Sequence, residues 1–209
     1  MKDKRLIDAV IFILKHPTWE NRANLEILLE GEDIEEIAAE IAGSVARIAH
    51  KNQAFRSGEG FSHEDDYTNM HLAGVARIVG REFDFPNDYE HLVTLCAAWL
   101  HDVVEDTNLN LESVRRAFGD DVAFIVDRLT KDIDQQLTNN KLYSFVPAVA
   151  QVKLADIYRN AETISFSKSK KAASNWALKK LVQIRSFYQP DQVFLDKVKD
   201  KLNNLVITE

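Results

Sequence analysis

Apolar positions recur along most of the chain at helical spacing. In residues 4–16, Leu6, Ile7, Val10, Ile11, Ile13 and Leu14 predict a helix. His16-Pro17 ends it, because proline disfavours helical geometry in the residue before it. Residues 22–30 predict a second short helix stopped by Gly31, and residues 33–54 a long one with Ile34, Ile37, Ile41, Val45 and Ile48 on one face. Residues 55–68, FRSGEGFSHEDDYT, read as a loop, and Thr68 or Asn69 is placed to cap a helix over 70–83. After the turn Phe85-Pro86-Asn87, an apolar helix over 88–105 runs directly into HDVVEDT. Short helices follow at 111–118, ended by Gly119, and at 120–131. Residues 132–142 are polar and loop-like, and further helices are predicted at 143–164, 170–188 and 190–204. No segment alternates convincingly at period two, so the expected fold class is all-α, a helical bundle.

Composition agrees with this pattern. With 4 Pro and 7 Gly in 209 residues, the chain has few helix breakers. It is long enough for one domain with a sizeable core. Cys96 is its one cysteine, which excludes an internal disulfide and reads as a small core residue in LVTLCAAWL. The apolar stretch near the N-terminus is too short and amphipathic for a membrane span and lacks a small-residue cleavage site, so a cytoplasmic location is the default expectation. A net charge of −7 argues against a nucleic-acid-coating protein but leaves room for a small phosphorylated ligand, since a divalent metal can supply positive charge locally.

The candidate chemistry centres on His101-Asp102-Val103-Val104-Glu105-Asp106. On a continuous helix its four ionisable groups would fall within an arc of about 140°. Ionisable groups at the end of so apolar a helix are costly to bury without a partner. A divalent metal would serve, and a mixed His/Asp set suits Mn, Fe or Zn. The bland alternative is a solvated acidic turn at a helix end. Two further segments offer partners. His71 opens an amphipathic helix, where a lone His is more often surface or cap. Asp156 lies among Leu154, Ala155 and Ile157, with Asn160 four residues on and on the same face. A structural salt bridge is the alternative for Asp156.

Taken together, His71, His101-Asp102 and Asp156 resemble the H…HD…D signature of the HD phosphohydrolase superfamily. The detail is similar to its alarmone-hydrolase branch, the hydrolase domains of RelA/SpoT proteins and their small relatives. Ala49-His50-Lys51-Asn52-Gln53 with Ser57-Gly58-Glu59 resembles the first motif of that branch, and His101 to Thr107 matches its HDxxEDT motif. Phe118-Gly119, Val126-Asp127 and Leu129-Thr130-Lys131 resemble the next helix, and Val152 to Asp156 with Asn160 and Thr163 the last. The likeness spans roughly residues 40–190.

This resemblance implies an HD-domain bundle over 39–209 with an N-terminal helical extension over 1–38. It implies His71, His101, Asp102 and Asp156 as ligands of one Mn²⁺, with Fe, Zn or Mg as alternatives. Glu105 and Asp106 would orient and deprotonate the attacking water, while Arg56, Ser57, Asn160 and Thr163 would meet the substrate. All six histidines lie at or before position 101, which favours one metal over several. The implied reaction removes the 3′-pyrophosphate of (p)ppGpp. The alternatives are the same chemistry on an adenine alarmone or another phosphorylated nucleotide, and a non-catalytic nucleotide-sensing module. The 209 residues leave no room for synthetase or regulatory domains, so a hydrolase-only protein is expected.

The chain departs from the pattern in several places. Phe55-Arg56 stands where two basic residues are usual, and Phe55 could stack on a base or belong to the core. Leu72 follows His71 in place of Pro, and Glu162 stands where a basic residue is common. An insertion at approximately 60–67 includes His63, a rival for the first ligand. The apolar face of residues 1–38 either packs within the chain or forms a homo-oligomer.

Overall fold

The computed structural model describes residues 2–55, 66–130, 147–187 and 190–207, the side chains of 165–167 excepted. At its centre lies α6, Asp88–Leu100. Asn87 starts this helix: its side chain accepts the Glu90 N–H at 2.9 Å. Every residue from Leu92 to Leu100 is buried, so the helix is apolar all round because it is packed all round. Thr94 is accommodated by donating its hydroxyl to the Glu90 carbonyl at 2.7 Å. Burial pushes the Cys96 thiol well above its ordinary pKa, as expected of an inert core residue.

The other helices wrap this axis. They are α1 (Lys4–Lys15), α2 (Trp19–Leu28), α3 (Ile34–Ala38), α4 (Ser44–Ala49), α5 (Ala73–Glu82), α7 (Val103–Asp106), α8 (Leu111–Leu129), α9 (Pro147–Ser167), α10 (Lys170–Ile184) and α11 (Gln192–Asn203). Helices α2, α3, α5, α8 and α9 pack on α6; α1 packs on α8, and α10 and α11 pack on α9. Val10, Leu14, Leu25 and Ile37 from the N-terminal helices join the same core as Leu92, Leu100 and Val122. Phe12, Trp19 and Ile27 stay exposed on that segment. Among the described residues there is no strand, only an isolated antiparallel bridge between Ala54 and Asp66. The all-α bundle expected from periodicity is therefore what the chain forms, and no described helix is long and apolar enough to cross a membrane.

Several expected boundaries are corrected. α2 begins at Trp19, because Thr18 caps it by accepting the Asn21 N–H. The helix expected over 33–54 ends at Ala49 and contains a π turn, Ala39–Gly43. The Trp99 ring lies against Gly43, where a Cβ would sit 3.2 Å from it. The helix expected from 70 starts as a π turn, Thr68–Leu72, and the Asp66 carboxylate, rather than Thr68 or Asn69, accepts the Asn69 N–H at 2.7 Å. The helix expected over 88–105 stops at Leu100; a turn at His101-Asp102 separates it from α7. At Gly119 the expectation holds: α8 consists of two helical stretches separated by a break at that glycine, whose φ is 86°. The expected loop 132–142 and the residues before Pro147 lie outside the described residues.

Candidate metal centre

The break after Leu100 decides where the HD pair sits. His101 ends α6 with its Nδ1 2.8 Å from the Ala98 carbonyl. A carbonyl can only accept, so Nδ1 keeps its proton and Nε2 is the atom open to a second proton or a metal. That Nε2 is buried. It faces Asp102 Oδ2 at 3.1 Å and Asp156 Oδ1 at 4.0 Å. His71, delivered by the π turn, directs Nε2 to 3.4 Å from Asp156 Oδ1 and 3.6 Å from Asp102 Oδ2. The ligand atoms of His71, His101 and Asp156 all lie within 4.8 Å of one another.

Second contacts hold these groups in place. Lys153 donates to Asp156 Oδ2 at 2.8 Å, and the Asn160 amide donates to Oδ1 of the same carboxylate. The Tyr67 hydroxyl donates to Asp102 Oδ2. The Phe55 ring lies flat behind His71, 15° from parallel with centroids 6.0 Å apart. Phe55 is 2% exposed, so of its two expected roles it takes the core one. Gln53 lies 2.7 Å from His50 Nδ1 and donates to the Asp106 carbonyl at 2.7 Å, tying the end of α4 to α7. Thr107 closes α7 by donating to the Val103 carbonyl at 2.6 Å.

The electrostatics describe a cation site. Burial opposes charge on His101, but Asp102 and then Asp156 more than offset it and raise its pKa to about 9. Burial likewise opposes ionisation of Asp102 and Asp156, yet both are held below the ordinary carboxylate range. His101 does this chiefly for Asp102, and Lys153 for Asp156. Burial and the Asp102 carboxylate push Tyr67 well above the usual phenol value, so it remains a donor. A bare Nε2 lone pair 3.1 Å from a carboxylate oxygen is repulsive unless a proton or a metal lies between them. Two imidazole nitrogens and two carboxylates, oriented by outer contacts, fit a divalent first-row ion.

A cavity of about 260 Å³ opens on this cluster. It brings together most of the residues expected from sequence: His71, Asp102, Glu105, Asp106, Asp156 and Asn160 line it. Glu105 and Asp106 reach it because α7 starts anew, not because they share a face of α6. Thr163 is not among the lining residues; it is buried and its hydroxyl lies 3.2 Å from the Arg159 carbonyl on its own helix. Arg56, Ser57 and His63 lie outside the described residues. Sequence reasoning missed Tyr67, Lys153, Lys168, Trp176 and Lys180 in the cavity wall. Lys153 had a signal, a charge within Val-Lys-Leu-Ala-Asp three residues before Asp156. Tyr67 had none, since it meets Asp102 only through the fold.

A larger cavity, about 450 Å³, lies between α2, α6, α8 and the start of α9. Size does not make it the reactive site. Its polar group is closed on itself: Tyr89 donates to Asp121, and Arg22 pairs with Asp121 while lying over the Tyr89 ring.

Known proteins are similar to this chain. Residues 42–155 match the HD domain family model, a span that ends one residue before Asp156. A GTP pyrophosphokinase of Streptomyces coelicolor is 34% identical over 142 residues, covering 63% of this chain and 15% of that protein. The human guanosine-3′,5′-bis(diphosphate) 3′-pyrophosphohydrolase MESH1 is 32% identical over 130 residues, covering 59% of this chain and 68% of that protein. The solved structure of a metazoan ortholog of SpoT that hydrolyzes ppGpp superposes with a TM-score of 0.60 at 22% identity, covering 83% of this chain and 94% of that one. The chain thus spans only about 15% of the long Streptomyces relative. With the family model covering more than half of its length and His71, His101 and Asp156 clustered together, the chain belongs to the HD domain family.

Proposed function

We propose that this chain hydrolyses the 3′-pyrophosphate of (p)ppGpp, giving GDP or GTP and pyrophosphate, with Mn²⁺ at the His71, His101, Asp102 and Asp156 site. The observation that carries the reading is the cavity lined by His71, Asp102 and Asp156 together with Glu105 and Asp106, with His101 clustered against His71 and Asp156. The names of the human and Streptomyces relatives supply the substrate class. In the reaction a water oxygen joins the 3′ α-phosphorus, the bond from that phosphorus to the ribose 3′-oxygen breaks, and a proton ends on the 3′-hydroxyl. A divalent ion here would ease loss of the water proton and offset charge on the phosphoryl oxygens. Glu105 and Asp106, at the cavity edge, orient the water and take its proton. Asn160 and Tyr67 keep the Asp156 and Asp102 oxygens aimed inward. Lys168, Lys180 and Trp176 give the opposite wall the positive charge and flat apolar surface that suit a phosphorylated nucleotide. A cytoplasmic location would suit an alarmone substrate.

The test is purified protein with Mn²⁺ and ppGpp, run beside the adenine counterpart. Pyrophosphate release from ppGpp, lost in Asp102→Ala together with bound Mn²⁺, is the expected outcome. Cleavage of only the adenine compound would overturn the guanosine assignment, and Mn²⁺ retained in Asp102→Ala would overturn the site.

A further inference from the structure

Arg159 lies on α9 between Asp156 and Asn160, yet it is not among the residues lining the cavity. Its guanidinium reaches across to another element. Nε and Nη2 both donate to the Met70 carbonyl, at 3.0 and 2.6 Å, while Nη1 donates to Glu162 at 2.9 Å. Met70 immediately precedes His71 within the π turn Thr68–Leu72. A π turn carries one residue more than an α turn and is a local departure from the best helical geometry, so its path depends on outside contacts. The same arginine passes over Gly74, where a Cβ would lie 2.6 Å from Arg159 Nε and 2.9 Å from its Cδ. Lacking a side chain at 74 is what lets the guanidinium reach Met70.

We propose that Arg159 is a positioning residue for His71. It locks the turn that aims His71 to the helix that carries Asp156, so that the two ligands arrive in fixed relation. The forked guanidinium matters because two parallel N–H groups set direction as well as distance, which a single ammonium cannot. This inference rests on the metal-site reading above, and not on the identity of the nucleotide.

Two substitutions separate positioning from bulk stability. Arg159→Lys keeps the charge and stem but loses the fork. Gly74→Ala leaves Arg159 intact and pushes it off Met70. Mn²⁺ titration calorimetry and the visible spectrum of the Co²⁺-loaded protein read the site directly, and far-UV circular dichroism of the metal-free protein reads the fold. Each variant is expected to bind Mn²⁺ about 10-fold or more weakly, as second contacts to metal ligands commonly do, with an altered Co²⁺ spectrum and an unchanged helical signal. Mn²⁺ affinity within about twofold of wild type in both variants would overturn the proposal. So would aggregation of both, which would make the clamp a folding contact only. If wild type binds Mn²⁺ but leaves ppGpp intact, the substrate reading falls and this comparison still stands. Wild type without affinity for Mn²⁺ or Co²⁺ would remove both.

Discussion

His101 shows at residue scale how one side chain serves two partners. Its Nδ1 is committed to the Ala98 carbonyl, so any proton or metal must be taken at Nε2. In metal-free protein the Asp102 and Asp156 carboxylates raise its pKa from 6.5 to about 9. The folded state therefore holds a proton that the unfolded chain releases between those values. That contribution to stability is fully present below about pH 6.5 and is lost as the pH rises through about 9. A divalent ion needs the neutral imidazole, so its binding tightens over the same range. Thermal midpoints measured in chelator should fall from pH 6.5 to 9, and saturating Mn²⁺ should flatten or reverse the decline. A flat profile in chelator would remove the charge pairing assigned to His101. The candidate ligands were legible because their types are unusual for their apolar surroundings: an HD pair closing LVTLCAAWL and an aspartate inside VKLAD. Phe55 was not, because a phenylalanine beside a loop has the same local pattern whether it stacks on a base or backs a histidine.

Helix positions were legible at the scale of elements, and their interruptions were not. Periodicity marks which residues face inward, and every long apolar stripe in the described residues became a helix. The π turns at 39–43 and 68–72 and the turn at 101–102 answer to packing partners far away in sequence. Trp99 and Arg159 are two such partners, and no local signal announces them. Gly119 is the exception, since a glycine within a helical pattern marks a break. Its φ of 86° and ψ of 177° fall where other residues rarely go, and a Cβ there would meet the Leu14 carbonyl oxygen at 2.1 Å. Gly119→Ala is expected to cost about 2–4 kcal/mol, combining backbone strain with overpacking. Gly31→Ala, with φ 77° but open space around it, should cost about 1 kcal/mol. Urea unfolding of the two variants checks this contrast; equal midpoints would mean that the α1–α8 contact at Gly119 yields readily.

The whole molecule has one core that runs through the boundary expected at residue 38. Val10, Leu14, Leu25 and Ile37 are fully buried against residues of the central bundle. Each such side chain contributes roughly 1.5–3 kcal/mol by burial, and four of them rival the net stability of an ordinary domain, about 5–15 kcal/mol. A chain of residues 39–209 should therefore lack a cooperative thermal transition. Calorimetry showing that it unfolds like the full chain would establish the first helices as a dispensable extension. The sequence left the apolar face of residues 1–38 open to two partners, because periodicity reveals that a face is apolar and not what covers it.

The ligands are spread along the chain in an order that matters during synthesis. His71, His101 and Asp102 leave the ribosome well before Asp156, and Lys153 and Asn160 emerge beside Asp156. A nascent chain that stops within α8 carries three of the four candidate ligands without Asp156, the lysine that pairs with it or the arginine that contacts the turn bearing His71. Such a chain has no complete pocket for a metal ion. The proposed chemistry would wait until the ninth helix docks, so an unfinished or prematurely terminated product would lack the complete set of groups rather than carry a weaker one.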